Sequence, residues 1–212
     1  MKPLLSETAG TFILVFTLGF SGQPLTAGFM LAVCVYLGGS LSGGHFNPAV
    51  SLAFWSAGRL DSRWASLYIA GQLVGALMAA GALHGLSGST LQIAPGPSAI
   101  PLPAAGIELL GAGLLAFVYL VSDSTGSGSP VYRRAVMTGI AYTALLGITG
   151  PIGDSHMNPA AYAAFAVTEF TIYHEAALYL GGWILAPMLG GLASGILGKQ
   201  MIPPKISGPG EA

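Results

Sequence analysis

The sequence contains the segment HFNPAV at residues 45–50 and a second copy, HMNPAA, at residues 156–161. In each copy Asn precedes Pro, a pair that favours a helix start, because Asn caps the first turn and Pro needs no N–H there. The residue before Pro is disfavoured in the α region, so the chain arrives extended. Roughly two or three apolar turns follow each copy, too few to cross a membrane. The two copies predict a pair of short helices whose shared residues carry function: Asn47, Pro48, Ala49, Asn158, Pro159 and Ala160.

Composition places the chain in a membrane. Of 212 residues, 53% are hydrophobic and only 7% are charged, and the mean hydropathy is +0.70. A soluble domain carries about 25% charged residues and covers its surface with them. The single cysteine excludes an intrachain disulfide and a cysteine-rich metal site. The net charge of −1 gives no indication of nucleic acid binding, and we expect no cofactor, metal or catalytic residue.

Six apolar segments have spanning length; they lie at about 4–21, 25–42, 64–86, 103–122, 133–151 and 173–198. With six spans and both termini cytoplasmic, all seven Lys and Arg residues fall on the cytoplasmic side, as the positive-inside rule requires. Short loops and the lack of a targeting extension indicate a bacterial or archaeal inner membrane. Two charged groups are expected on solvated cytoplasmic faces: Asp61 with Arg59 and Arg63, and Asp123 with Arg133 and Arg134.

The two halves of the chain repeat. An offset of 111 residues pairs the two Asn-Pro copies, and also Gly28 with Gly139 and Gly71 with Gly182; an offset of 101 pairs Glu7 with Glu108. Because each half has three spans, the halves run in opposite directions and form an inverted repeat. The sequence therefore predicts an all-α membrane protein with six transmembrane helices and two re-entrant half-helices. It forms one domain over 1–212: repeat 1 at about 1–86, an external linker at 87–102, repeat 2 at 103–199 and a C-terminal tail at 200–212.

Inversion brings the two half-helices to the membrane midplane from opposite sides. Non-helical backbone is tolerated at that depth only where it is buried or lines a watery cavity. The facing N-termini each carry about half a positive charge, which repels cations and hydronium. Asn47 and Asn158 would donate into this constriction, and carbonyls of 43–46 and 154–157 would accept. Such a constriction is suited to conducting small neutral polar molecules.

At these residues the chain resembles the aquaporin (major intrinsic protein) family. Residues 42–50 match that family's first signature in full, and the resemblance extends to the six spans, Glu7, Glu108 and the Gly71-Gln72 pair. It implies a homotetramer with one pore per subunit, in a lipid bilayer, with passive flux of water or small uncharged solutes. The family is not enzymatic.

The second copy departs from the family. The Arg that usually follows Asn-Pro-Ala is Ala161 here, and the resemblance places the other outer-filter positions at Ala27, Leu146 and Ser155. This filter is wider and more apolar than a water filter, so we expect glycerol-like or urea-like solutes to pass as well. The glycerol-facilitator pattern is not met, since no Asp follows Pro159. Cation exclusion would then rest on the central dipoles alone. Three large side chains would narrow the mouth if they filled the vacated space: Phe29, Tyr142 and Tyr162.

The remaining candidates concern loop support and gating. Glu7 and Glu108 are expected to accept backbone N–H bonds from the adjacent re-entrant loops. His45 and His156 are expected to pin those loops by hydrogen bonds. Alternatively, His156 titrates near the outer mouth, and its protonation makes conductance depend on pH. Met157, beside Asn158, would narrow the central constriction.

Two other functions compete with a passive channel. Inverted repeats and broken helices also occur in proton-coupled secondary transporters, in which Glu7 and Glu108 would relay protons. No Lys or Arg lies within a predicted span to pair with them, which disfavours this alternative. A membrane-embedded hydrolase would use Ser42 or Ser155 with a nearby His, but the sequence offers no third orienting group.

Overall fold

The computed structural model describes residues 1–87, 102–124, 130–149, 155–168 and 180–202. Most of the predicted external linker and nearly all of the C-terminal tail lie outside the described residues. The helices are α1 (Lys2–Ser21), α2 (Pro24–Ser42), α3 (Pro48–Ser56), α4 (Ser62–Ser87), α5 (Leu102–Ser124), α6 (Pro130–Thr149), α7 (Pro159–Thr168) and α8 (Ala186–Met201), the last preceded by a π-helical segment, Leu180–Leu185.

Proline and glycine set the helix boundaries. Four helices begin at a proline, where a missing N–H costs nothing: α2, α3, α6 and α7. Gly22 and Gly43 end α1 and α2 with φ of 60° and 89°, and their N–H groups bond back to Leu18 and Gly39. Left-handed conformations of this kind favour glycine. After Gly43 the chain continues as the first re-entrant loop.

Among the described residues, five helical stretches are long and apolar enough to cross a membrane: Lys2–Ser21, Pro24–Ser42, Ser62–Leu86, Pro103–Ser124 and Gly181–Met201. The 20-residue α6 packs against α2 and α5 and supplies the remaining predicted span; Arg133 and Arg134 in its first turns lower its hydropathy. The half-helices α3 and α7 have 9 and 10 residues, about 15 Å at 1.5 Å per residue, half of a bilayer core. The expected all-α membrane fold is confirmed.

The inverted repeat is visible in the packing. Helix α1 packs on α2 and α4, and α5 packs on α6 and α8. The halves join where α2 crosses α6, at the paired glycines. A Cβ on Gly28 would lie 2.5 Å from the carbonyl oxygen of Gly139, and a Cβ on Gly139 would lie 2.7 Å from that of Gly28. These reciprocal contacts put the axis of the repeat between the two residues.

The third span of each repeat has a different register from the one predicted. A Cβ on Gly75 would lie 2.2 Å from the Thr8 carbonyl oxygen, and a Cβ on Gly190 would lie 2.0 Å from that of Leu109. Thr8 and Leu109 are 101 residues apart, the offset of α1 and α5. Gly75 therefore corresponds to Gly190, at an offset of 115 residues.

The predicted pairing of Gly71 with Gly182 is thus wrong by four residues, about one helical turn. The second repeat therefore contains four more residues than the first in the interval between the Asn-Pro pair and Gly190. The π-helical segment Leu180–Leu185 lies in that interval, and its i→i+5 bonds take up more residues per turn than an α-helix. Sequence identity at a fixed offset cannot show such a shift.

Candidate functional site

The two Asn-Pro pairs form matching helix starts. Asn47 has an extended backbone (φ −157°), and its Oδ1 accepts the N–H of Ala49 at 2.8 Å. Asn158 Oδ1 accepts the N–H of Ala160 at 3.1 Å. Each side chain satisfies a donor that has no partner within its helix. The capping expected from the sequence is therefore present in both copies.

Each asparagine also bonds to the opposite loop. Asn47 Nδ2 donates to the carbonyl of Met157 at 2.7 Å, and Asn158 Nδ2 donates to the carbonyl of Phe46 at 3.0 Å. The two half-helices thus meet N-terminus to N-terminus, joined by a reciprocal pair of bonds. An amide nitrogen carries two hydrogens, so each Asn keeps one further donor. The sequence did not reveal these bonds, because their partners lie more than a hundred residues apart.

The residues before each Asn have an uncommon backbone. Phe46 has φ 50° and Met157 has φ 53°, the left-handed region that non-glycine residues seldom adopt. Such a conformation costs on the order of 1–3 kcal/mol and persists only where its surroundings impose it. The conformation turns both carbonyls toward the opposite asparagine, and identical geometry in the two copies marks it as part of the site.

In the first repeat, Glu7 imposes this geometry. The residue is fully buried. Its Oε1 accepts the Ser42 hydroxyl at 2.6 Å and the N–H of His45 at 2.9 Å. Its Oε2 accepts the N–H of Phe46 and the amide of Gln72, both at 2.7 Å. A buried carboxylate is tolerated when it is fully hydrogen-bonded in this way, and here its donors include two consecutive N–H groups of the loop.

In the second repeat Glu108 supports the loop in the same way, but one of its donors is the Tyr162 phenol. Its Oε1 accepts the N–H of His156 at 3.1 Å and the Tyr162 hydroxyl at 2.6 Å, and its Oε2 accepts the N–H of Met157 at 3.0 Å. Tyr162 stands 111 residues after Ser51. The Ser51 hydroxyl accepts from Gln72 at 2.9 Å, whereas the longer phenol of Tyr162 reaches the carboxylate directly.

A glycine one turn after each glutamate makes room for the loop side chain. The Cβ position of Gly10 lies 2.2 Å from the Phe46 ring, and that of Gly111 lies 2.8 Å from the end of Met157. A larger residue at Gly10 would displace the Phe46 ring, and one at Gly111 would displace the end of the Met157 side chain. Met157 is fully buried against α5. The end of its side chain packs on α5, and its narrowing of the central constriction stays a prediction.

The two histidines of the re-entrant loops, His45 and His156, lie against aromatic rings. His45 Nδ1 is 3.2 Å from the Ser51 hydroxyl, and its ring centroid is 4.4 Å from that of Phe54. The His156 ring stacks on Tyr162 at 5.1 Å, and both histidines are buried. Ser42 donates to Glu7, not to an imidazole, so the serine and histidine expected for a hydrolase are not paired there.

The four predicted filter residues are all buried. Ala27 lies near the start of α2, Leu146 near the end of α6, and Ser155 and Ala161 on either side of the second Asn-Pro.

The three large side chains expected to compete for the filter have different positions. Phe29 is 62% exposed on the outer surface of α2, so it does not enter the filter. Tyr162 is bound to Glu108 behind the loop. Tyr142 lies one turn before Leu146 on α6 and donates its hydroxyl to the carbonyl of His156 at 2.9 Å. It is the large polar side chain next to the filter.

Two of the charged residues predicted to be cytoplasmic and solvated, Arg134 and Arg59, are bonded within the protein. Arg134, expected on a solvated face, is 4% exposed. Its guanidinium forms an ion pair with Asp123 and donates to the carbonyl of Gly39 at 3.2 Å. Arg59 lies 4.0 Å from the same carboxylate and donates to the Leu120 carbonyl at 3.3 Å. The positive-inside rule predicts on which side of the membrane a charge lies, but it does not predict whether that charge is buried.

Known proteins share this architecture. The family model described as Major intrinsic protein matches residues 5–197. A probable NIP-type aquaporin of Nicotiana alata is 30% identical over 91% of this chain and 75% of its own length. Aquaporin Z of Photorhabdus laumondii is 27% identical over 92% of this chain and 95% of its own. An aquaglyceroporin structure from Plasmodium falciparum superposes with a TM-score of 0.76 at 23% identity, over 94% of this chain and 96% of that one.

Proposed function

Because the chain belongs to the major intrinsic protein family, we propose that it is a wide-filter channel for water and uncharged solutes larger than water. Members of this family are passive channels and not enzymes, and this chain is an integral membrane channel for water and small solutes. The width of its filter, its mode of cation exclusion and its assembly belong to the proposal.

The outer filter carries the proposal. Ala161 stands where a fixed arginine normally narrows and charges the mouth, and Ala27, Leu146 and Ser155 are also small or apolar. A filter without an arginine has more room and fewer donors, so a glycerol-like or urea-like molecule loses less hydration there than at a charged constriction. In this proposal Tyr142, one turn deeper, sets the next size limit.

The central constriction excludes cations. Two helix N-termini face each other across Asn47 and Asn158, each with about half a positive charge. The remaining amide hydrogen of each asparagine serves as the donor to a passing water or solute oxygen. The carbonyls of Phe46 and Met157 already accept the cross-loop bonds, so the constriction favours acceptors and disfavours cations.

Glu7, Glu108, His45 and His156 support the loops in this proposal. Each carboxylate accepts consecutive loop N–H groups, and each histidine is buried against a neighbouring ring. A carboxylate whose oxygens are already occupied by several fixed donors is a poor proton relay. This favours loop support over a proton-coupled transport mechanism and over gating by His156.

We place both termini on the cytoplasmic side, on the distribution of Lys and Arg, and the channel in a prokaryotic inner membrane, on its short loops. The family resemblance supports a homotetramer, and the large apolar side chains on the outer surface, such as Phe20, Phe29 and Ile140, support its placement in the bilayer. The relative in the bacterium Photorhabdus laumondii, an aquaporin Z, covers nearly the whole chain and is consistent with this location.

Stopped-flow light scattering on proteoliposomes tests the filter. We expect the wild type to pass water, glycerol and urea, and Ala161→Arg to pass mainly water. Ala161→Leu is the matched control, since it adds bulk without charge or donors. Loss of glycerol flux in Ala161→Arg with partial retention in Ala161→Leu supports the assignment. Equal solute flux in all three proteins would show that position 161 does not face the path.

A further inference from the structure

A buried stripe of side chains winds along α6 from the outer filter to the cytoplasmic end. Leu146, Tyr142, Thr138 and Arg134 follow one another at intervals of four residues, so neighbours in the stripe are adjacent and the stripe turns gradually around the helix. Their exposures are 6%, 1%, 0% and 4%. Leu146 is the predicted filter residue of α6, and Tyr142 bonds to the second re-entrant loop. The outer half of the stripe, Leu146 and Tyr142, therefore lies on the conducting side, whereas Arg134 lies at the inner end, where α6 meets α2 and α5.

Arg134 ends this stripe at the inner mouth. Its Nη2 donates to the carbonyl of Gly39 at 3.2 Å. Gly39 also borders the first re-entrant loop, because the Cβ position of Gly44 lies 3.3 Å from the Gly39 Cα. The guanidinium thus lies beside the place where the loop leaves α2. Twelve residues separate Arg134 from Leu146, which is about 18 Å along α6.

The charges around Arg134 do not cancel. Asp123 is the carboxylate that binds it, and Arg59 approaches the same carboxylate at 4.0 Å. Two guanidinium groups sharing one carboxylate leave a net charge of +1. Asp123 and Arg59 also line a cavity of about 630 Å³ at the cytoplasmic ends of α3, α5 and α8. The cluster therefore lies between a cavity on the cytoplasmic side and the loop.

One donor of Arg134 is unused. Its Nη atoms bind Asp123 and Gly39, whereas its buried Nε has no hydrogen-bond partner in the described part of the chain. Buried polar groups nearly always have a partner, in protein or in ordered water. A buried, unpartnered guanidinium donor at the inner end of the stripe indicates a position that a water or a solute oxygen occupies.

We propose that Arg134 forms an inner selectivity filter at the cytoplasmic end of the pore. It binds the oxygen of a permeating neutral molecule, and its charge excludes cations in place of the arginine absent at position 161. Asp123 and the Gly39 carbonyl are positioning groups that hold the guanidinium. The proposal rests on the channel function and moves the charged constriction of this protein from the outer to the inner mouth.

Charge restoration at position 134 tests this. The protein is prepared as Arg134→Cys in a Cys34→Ala background, because Cys34 is the single native cysteine. It is then treated with aminoethyl methanethiosulfonate, which adds a positive charge, or with neutral methyl methanethiosulfonate. Potassium and proton leak and water permeability are measured on the same proteoliposomes. Arg63→Ala is the matched control, since Arg63 is an exposed cytoplasmic arginine.

We expect Arg134→Cys to raise the cation leak by roughly tenfold or more, the size expected for losing one unit charge beside a partly hydrated path. The charged reagent lowers the leak again and the neutral reagent does not, whereas Arg63→Ala leaks like the wild type. A cysteine that does not react, or a leak that ignores the charge of the reagent, overturns the proposal. Wild-type protein without water flux would instead contradict the channel function itself.

Two further variants separate charge from structure if Arg134→Cys does not assemble. Arg134→Lys keeps the charge but loses the planar fork, and Asp123→Asn keeps the arginine and raises the net charge of the cluster. The proposal expects both to exclude cations at least as well as the wild type. If either variant leaks cations at tenfold the wild-type rate, Arg134 acts only as a structural clamp and the inner filter is refuted.

Discussion

Deleting one hydroxyl at Tyr162 tests whether the carboxylates hold the pore loops. The Tyr162 phenol donates to Glu108 and accepts the N–H of His156, both at 2.6 Å. In Tyr162→Phe the ring stays and only the oxygen is lost. The His156 N–H keeps its bond to Glu108 at 3.1 Å, so that donor is not left unpaired. The substitution therefore removes the hydrogen bond to the carboxylate and the shorter of the two bonds of the His156 N–H.

The size of the effect follows from the kind of bond. A buried hydrogen bond to a charged group contributes about 1.5–3 kcal/mol and a neutral one about 1 kcal/mol. We therefore expect Tyr162→Phe to lower the free energy of unfolding by about 2 kcal/mol. Tyr142→Phe, which loses a bond to a backbone carbonyl, should cost about 1 kcal/mol. Tyr36, which is 59% exposed, is the control, and Tyr36→Phe should change almost nothing.

The three variants are compared by thermal unfolding in detergent, followed by circular dichroism, and by water permeability in proteoliposomes. For a chain of this length, about 2 kcal/mol corresponds to a Tm lower by roughly 4–8 °C. Tyr162→Phe should also reduce the water permeability, because the loop that carries Asn158 loses a support. Equal losses of stability at all three tyrosines, or none at Tyr162, would refute the view that the carboxylate network holds the loop.

Three other predictions concern packing, the central constriction and pH. Gly28→Ala should destabilise the protein by about 1–3 kcal/mol, because its Cβ would lie 2.5 Å from a backbone oxygen; Gly81→Ala, with open space at its Cβ, should be neutral or stabilising in a parallel unfolding measurement. Asn47→Ala and Asn158→Ala should each lose about 1–2 kcal/mol through the missing cap and raise the proton leak in liposomes loaded with a pH-sensitive dye; an unchanged leak in both would disprove the donor role. Water flux should vary little between about pH 5.5 and 8, since the ring of His156 is buried on Tyr162; a severalfold pH dependence that His156→Phe abolishes would establish gating instead.

Local chemistry made the core of the fold predictable from the sequence. The Asn-Pro pairs cap their half-helices as expected, since capping needs only neighbouring residues. The matched Glu7 and Glu108 pointed to the loop contacts because an acidic residue in a span needs fixed donors. A cap involves only neighbouring residues, and the glutamates occupy matching positions in the two halves. Both features can therefore be recognised without knowing the fold.

The features that the sequence did not reveal depend on distant partners. The bonds from Asn47 to Met157 and from Asn158 to Phe46 require the two loops to be brought together first. The burial of Arg134 depends on Asp123 of another helix and on the absence of a side chain at Gly39, whose Cβ position is 3.2 Å from the guanidinium. A charge in a cytoplasmic stretch is usually solvated, so composition alone indicated the opposite.

The solute selectivity of the wild type tests the central claim most directly. Proteoliposomes are exposed to gradients of an impermeant osmolyte, of glycerol and of urea, and the reflection coefficient of each solute is determined relative to empty liposomes. The wide outer filter of Ala27, Leu146, Ser155 and Ala161 predicts fast water flux with glycerol and urea entering well above the empty-liposome rate. Fast water flux with both solutes fully excluded would contradict it and show that the mouth is as narrow as that of a water-selective channel.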